Sequence, residues 1–71
     1  MNLPESLRRF RKDFNLTQRA VADAVGMQES AYQRYEQGKV IPAATVIIDL
    51  SKFFNVSTDY LVGLSDNPAR L

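Results

Sequence analysis

Glu29, Gln33 and Gln37 recur at four-residue intervals, and Ser30 and Arg34 keep the same interval beside them. On a helix whose Tyr32 and Tyr35 turn inward, these five side chains form one outward ridge. The ridge carries a carboxylate, two amides, a hydroxyl and a guanidinium. An amide donates and accepts toward one planar partner, a guanidinium donates two parallel bonds, and a carboxylate accepts. That is the chemistry of recognition by paired hydrogen bonds. Bond-breaking chemistry has little to draw on. The 71 residues include no His and no Cys, which removes the usual general base, the commonest metal ligand and any thiol nucleophile or disulfide. Asp13, Asp23, Asp49 and Asp59 are scattered over different helices, with no phosphate loop and no nucleophile motif. The chain therefore reads as no enzyme, and it implies no metal, no cofactor and no small-molecule ligand.

The ridge needs a scaffold, and apolar spacing supplies one that is helical throughout. Leu3, Leu7, Phe10 and Phe14 share a face of a first helix running to about Phe14. Pro4 suits its first turn, and Arg8, Arg9, Arg11 and Lys12 fall on its other faces. Thr17 is an N-cap for a second helix, Gln18 to Val25, with Ala20, Val21, Ala24 and Val25 as its buried stripe. Gly26 ends it. The third helix spans about Gln28 to Glu36, with Met27, Ala31, Tyr32 and Tyr35 apolar. The fourth, about Ala43 to Phe54, puts Ile47, Leu50, Ser51 and Phe54 on one face. Ser57 caps a short fifth helix, Thr58 to Val62, which Gly63 ends. No alternating run supports a strand, so the class is all-α, with a domain over residues 1–64 and a short polar tail over 65–71. Hydrophobic residues at 45% and charged residues at 24% are an ordinary globular mixture, and a chain of this size forms one domain with a barely sufficient core. No apolar run approaches the ~20 residues needed to span a bilayer. The N-terminus has no charged-then-apolar pattern of a signal peptide, so a cytoplasmic location and no membrane partner are expected.

One tight turn at Gly26 separates the second and third helices. Gly26 permits a sharp change of direction at φ > 0, and Ala20, Ala24 and Ala31 are small where two helices approach. This is the spacing of a helix-turn-helix, whose second helix stands proud and can enter a major groove.

Leu16-Thr17-Gln18, Ala22, Val25-Gly26, Ser30, Tyr35-Glu36-Gln37-Gly38-Lys39, Pro42 and Phe54-Asn55-Val56-Ser57-Thr58-Asp59-Tyr60-Leu61 carry a resemblance. Over about residues 3–64 the chain resembles the phage-repressor/Cro-like (Cro/CI-type, Xre-type) helix-turn-helix regulators. The resemblance implies a five-helix lambda-repressor-like domain that binds double-stranded operator DNA, commonly as a homodimer on a two-fold-symmetric site, and regulates or represses transcription. It places base-reading side chains at Gln28, Glu29, Ser30, Gln33 and Arg34. Gln pairs with adenine and Arg with guanine through two bonds each, and Glu accepts from cytosine. Glu29 tunes specificity by repulsion elsewhere. Phosphate contacts fall at Thr17, Gln18, Arg19, Gln37 and Lys39, with Gln18 at the start of the second helix. Arg11 pairs with Glu36 as a structural ion pair and keeps further N–H groups for a phosphate. Tyr32 stands where the family usually has a β-branched aliphatic residue, Gln28 and Ala43 replace polar caps, and the Val40-Ile41 loop is unusually apolar.

Val46 and Phe53 lie seven residues apart on the fourth helix. With Tyr60 and Leu64, and with Val40 and Ile41 adding to them, they are the candidate dimer surface. A dimer places two reading helices about one DNA turn, ~34 Å, apart. The competing readings are a protein-interaction module on the same fold, such as an antitoxin, and the N-terminal fragment of a longer regulator. The net charge of +1 divides as +2 over residues 1–40 and −1 over 41–71, which sets an expectation of modest non-specific affinity for DNA.

Overall fold

The structure, a computed structural model, describes residues 2–64; the sequence-defined tail at 65–71 lies outside them. Five helices follow one another: α1 (Leu3–Asp13), α2 (Gln18–Ala24), α3 (Glu29–Gln37), α4 (Ala44–Phe54) and α5 (Thr58–Val62). No strand occurs among the described residues.

Local chemistry sets the helix ends. Asn2 Oδ1 accepts the Glu5 N–H at 3.0 Å, and Pro4 occupies the first turn of α1. The α1 exit uses Asn15 at φ 55°, a left-handed conformation that Asn tolerates better than most side chains. Leu16 N–H then returns to the Arg11 carbonyl at 2.9 Å. Thr17 Oγ1 caps α2 by accepting the Ala20 N–H at 3.0 Å, and Ser57 Oγ caps α5 by accepting the Tyr60 N–H at 3.0 Å. Gln28 and Ala43 hold the corresponding positions before α3 and α4 with no side-chain cap bond. The turn between α2 and α3 passes through Gly26 at φ 73°. A Cβ at Gly26 would meet no atom within 4 Å, so glycine serves there for its backbone freedom rather than for close packing.

The core gathers Leu7 and Phe10 from α1, Val21 and Ala22 from α2, and Tyr32 from α3. Leu50, Phe54, Val56 and Leu61 complete it from the second half. α3 packs on both α1 and α2, while α5 packs on α1 and α4. Phe10 joins the two halves, with its ring 5.5 Å from Phe54 and 5.7 Å from Tyr60. Each such aromatic pair is worth about 0.5–1.5 kcal/mol beyond its buried area.

Several expectations are corrected. Phe14 is 52% exposed rather than part of the buried face. The helix stops at Asp13, so Phe14 leaves the helical path and only rests its ring on Phe54 at 5.8 Å. Ala24 is exposed and Ala22 is buried in its stead, because the inward side of α2 runs through Val21, Ala22 and half-buried Val25. Val25 is the cap of α2 rather than its last residue, α3 begins at Glu29, and α4 at Ala44. Val46, Phe53 and Tyr60 are half-buried and pack against the domain's own core, with Phe53 edge-on to Phe54 at 5.1 Å. Leu64 alone of the four candidate dimer residues is exposed.

Candidate nucleic-acid interface

Two faces of α3 do different work. The inner face carries Tyr32 and Glu36, four residues apart and both buried. The outer face exposes Glu29, Ser30, Arg34 and Gln37, with Gln28 exposed just before the helix and Gln33 half-buried at the ridge's edge. The ridge read from the sequence is therefore real, except that Gln33 is partly covered.

Glu36 is the hub that fixes this helix. It is 2% exposed, and a carboxylate so placed must be paired. Arg11 Nε donates to Oε2 at 2.7 Å and Arg11 Nη2 donates to Oε1 at 3.1 Å. Gln18 Nε2 donates to Oε1 at 3.2 Å. Arg8 Nη1 donates to the Glu36 backbone carbonyl, near the C-terminal end of α3 where a cation is favoured. Three helices thus converge on one residue. A buried ion pair is weak ground for net stability, but this one sets how α3 sits against α1 and α2.

The electrostatics follow from that packing. Burial pushes the Glu36 carboxyl up, but the bonds from Arg11 and Gln18 and the nearby Tyr32 phenol outweigh it and hold it below its usual value. Its bond to Glu36 pushes the Arg11 guanidinium up against the effect of burial. Burial, reinforced by the Glu36 carboxylate, pushes the Tyr32 phenol well up, so it stays protonated. The Tyr32 hydroxyl lies within electrostatic reach of Arg11 and Glu36 yet makes no hydrogen bond. A buried hydroxyl left so costs about 1–3 kcal/mol.

The candidate phosphate contacts divide into engaged and open groups. Arg11 also donates Nη1 to the Leu16 carbonyl at 3.2 Å, and its side chain is only 17% exposed. It is first a bolt. Gln18 is half-buried with its amide on Glu36. Thr17 is exposed; its oxygen accepts the cap bond, which leaves its hydroxyl proton free to donate. Arg19 stands 3.9 Å from Asp23, both well exposed, a pair worth little in water. Gln37 and Lys39 are exposed beyond the reading ridge. Left-handed Gly38 turns the chain there, and Lys39 N–H closes on the Arg34 carbonyl at 3.0 Å. Val40 and Ile41 follow, and Ile41 is 88% exposed.

Sequence reasoning missed Arg8 and the Gln18–Glu36 bond. The spacing of Arg8 and Arg11, three apart on one side of α1, was the available signal for the first. Nothing local in the sequence announces the second. Among the described residues no group of acidic side chains is arranged to hold a metal ion, and no helix is long and apolar enough to cross a membrane.

Residues 7–61, from Leu7 in α1 to Leu61 in α5, match the family model described as helix-turn-helix. The chain belongs to this helix-turn-helix family. The helix-turn-helix chain is 34% identical over 64 residues to the HTH-type transcriptional regulator YobD of Bacillus subtilis, covering 90% of this chain and 57% of that protein. It is 32% identical over 63 residues to the cryptic phage CTXphi transcriptional repressor RstR of Vibrio cholerae, covering 89% and 56%. It spans little more than half the length of these relatives. The P22 c2 repressor in complex with a synthetic operator superposes with a TM-score of 0.84 at 28% identity, covering 92% of this chain and 98% of that one. The solution structure of the P22 c2 DNA-binding domain gives 0.80 at 30% identity, covering 86% and 80%. The helix-turn-helix fold expected from the Gly26 turn, with five helices and lambda-type repressor neighbours, is therefore established.

Proposed function

We propose that this helix-turn-helix chain is a sequence-specific DNA-binding transcriptional regulator, a repressor, that reads the major groove of a palindromic operator with α3 and acts as a homodimer. The observation that carries this reading is the division of α3. Its inner face is tied to α1 and α2 through Glu36, while its outer face offers unengaged hydrogen-bonding side chains. A recognition helix must be both exposed and rigidly set, and α3 is both. RstR is named a transcriptional repressor, and the P22 c2 repressor was solved on a synthetic operator; both support the same reading here.

In this reading Gln28, Glu29, Ser30, Gln33 and Arg34 address base edges, with Arg34 donating two bonds to a guanine. Thr17, Gln18, Arg19, Gln37 and Lys39 hold phosphates and set the register, and Arg11 supports them from behind. The dimer brings Leu64 together with the partly exposed edges of Val46, Phe53 and Tyr60. Selection of bound sites from random DNA, followed by sequencing, tests the reading. It yields a two-fold-symmetric motif with half-sites about one helical turn, ~34 Å, apart. A bound population with no sequence enrichment at low salt would replace it with the interaction-module reading.

A further inference from the structure

Glu36 Oε1 is shared by two donors, Arg11 Nη2 at 3.1 Å and Gln18 Nε2 at 3.2 Å, whereas Oε2 holds Arg11 Nε at 2.7 Å. The Gln18 bond is the longest of the three, and Gln18 is half-buried at the first position of α2 while Glu36 is buried. It is the donor most easily released. Directly on the inner face of α3, one turn before Glu36, the fully buried Tyr32 carries a hydroxyl with no hydrogen-bond partner. A carboxylate offers about four acceptor places, and three are taken.

We propose that the Tyr32 hydroxyl is the stand-in donor of this cluster: when the Gln18 amide leaves Glu36 Oε1 for a backbone phosphate, the hydroxyl rotates onto the vacated carboxylate. Tyr32 is in this sense a positioning residue for DNA binding, acting through Gln18 without touching DNA. The inference rests on the DNA-binding reading above. Its physical basis is that a buried carboxylate resists losing a donor, so a second donor already beside it makes release of Gln18 easier. The raised pKa of the phenol keeps that proton in place at any working pH. Removing the hydroxyl leaves the free protein unharmed, because the group is unpaired there, but holds Gln18 on Glu36.

The test compares wild type, Tyr32→Phe, Gln18→Ala and the double variant. Binding to a short mixed-sequence DNA duplex at low salt is followed by fluorescence anisotropy, and DNA-free thermal melting is recorded for each. Tyr32→Phe melts at or above the wild-type temperature. It weakens duplex binding by about 3–10-fold on the wild-type background and by less than about twofold on the Gln18→Ala background. Equal losses on both backgrounds, or wild-type affinity for Tyr32→Phe, would overturn the exchange while leaving the DNA reading intact. So would wild-type affinity for Gln18→Ala, or a lowered melting temperature or failure to fold for Tyr32→Phe, since the hydroxyl would then be bonded in the free protein. A wild-type chain that does not bind the duplex would overturn both.

Discussion

Arg11 and Glu36, 25 residues apart, meet through two bonds across the α1–α3 contact, Nε to Oε2 at 2.7 Å and Nη2 to Oε1 at 3.1 Å. The pair is what lets a helix of only nine residues present its outer ridge at a fixed angle. Arg11→Ala strands a buried carboxylate, and the expected loss is about 3–5 kcal/mol. That is comparable with the whole stability of a domain this small, roughly 4–10 kcal/mol. Arg11→Lys keeps the charge but not the fork, and loses less. Urea unfolding of the two variants checks the order; equal stability of wild type and Arg11→Ala would contradict it.

The same pair makes stability depend on pH. Burial raises the Glu36 carboxyl, but Arg11, Tyr32 and Gln18 outweigh it and hold it below the usual 4.5. A depressed acid contributes stability that is complete above the unfolded value and is lost as pH falls through the folded one. Melting temperature therefore declines once pH passes below 4.5. Glu36→Gln lowers stability at neutral pH, and its deficit relative to wild type shrinks in acid. A deficit that stays constant down the acid limb would contradict the assignment.

Two helices lack side-chain caps, and one of them lies away from the reading ridge. Ala43 already has the extended backbone of an N-cap, with φ −63° and ψ 156°. Ala43→Asp should stabilise the domain by about 1 kcal/mol, and Thr17→Ala should destabilise it by a similar amount through loss of the Ala20 bond. Denaturant midpoints measure both.

The turn tolerates volume but not a side chain's preferred backbone. Gly26→Ala meets no steric neighbour, so its cost comes from φ 73° alone, about 1–2 kcal/mol. A neutral result by chemical denaturation would mean that the α2–α3 turn relaxes to a different conformation.

What the sequence made legible was mostly local. Thr17, Ser57 and Gly26 announce helix ends because each acts on backbone groups within a few residues of itself, and all three hold their expected places. Periodicity does not say where a helix stops, which is why Phe14 and Ala24 were assigned to buried faces that they do not reach. The Arg11–Glu36 pair was legible through resemblance, since no local rule joins residues so far apart. Arg8 on the Glu36 carbonyl, and Gln18 on its carboxylate, depend on how α1 and α2 cross α3. That is a tertiary fact with no signature in spacing. Phe53 and Tyr60 looked available for a partner, but a small core recruits its large aromatic side chains, and both rings lie on its edge.

The ridge of α3 as the base-reading element is the centre of this account, and Arg34 is its most discriminating member. The direct measurement is site selection from random DNA by wild type and by Arg34→Ala, with affinities for the winning site. The account predicts that Arg34→Ala binds that site about 1–3 kcal/mol more weakly and loses preference at one position per half-site, with the rest of the motif retained. An unchanged motif bound with unchanged affinity would contradict it and remove α3 from the DNA.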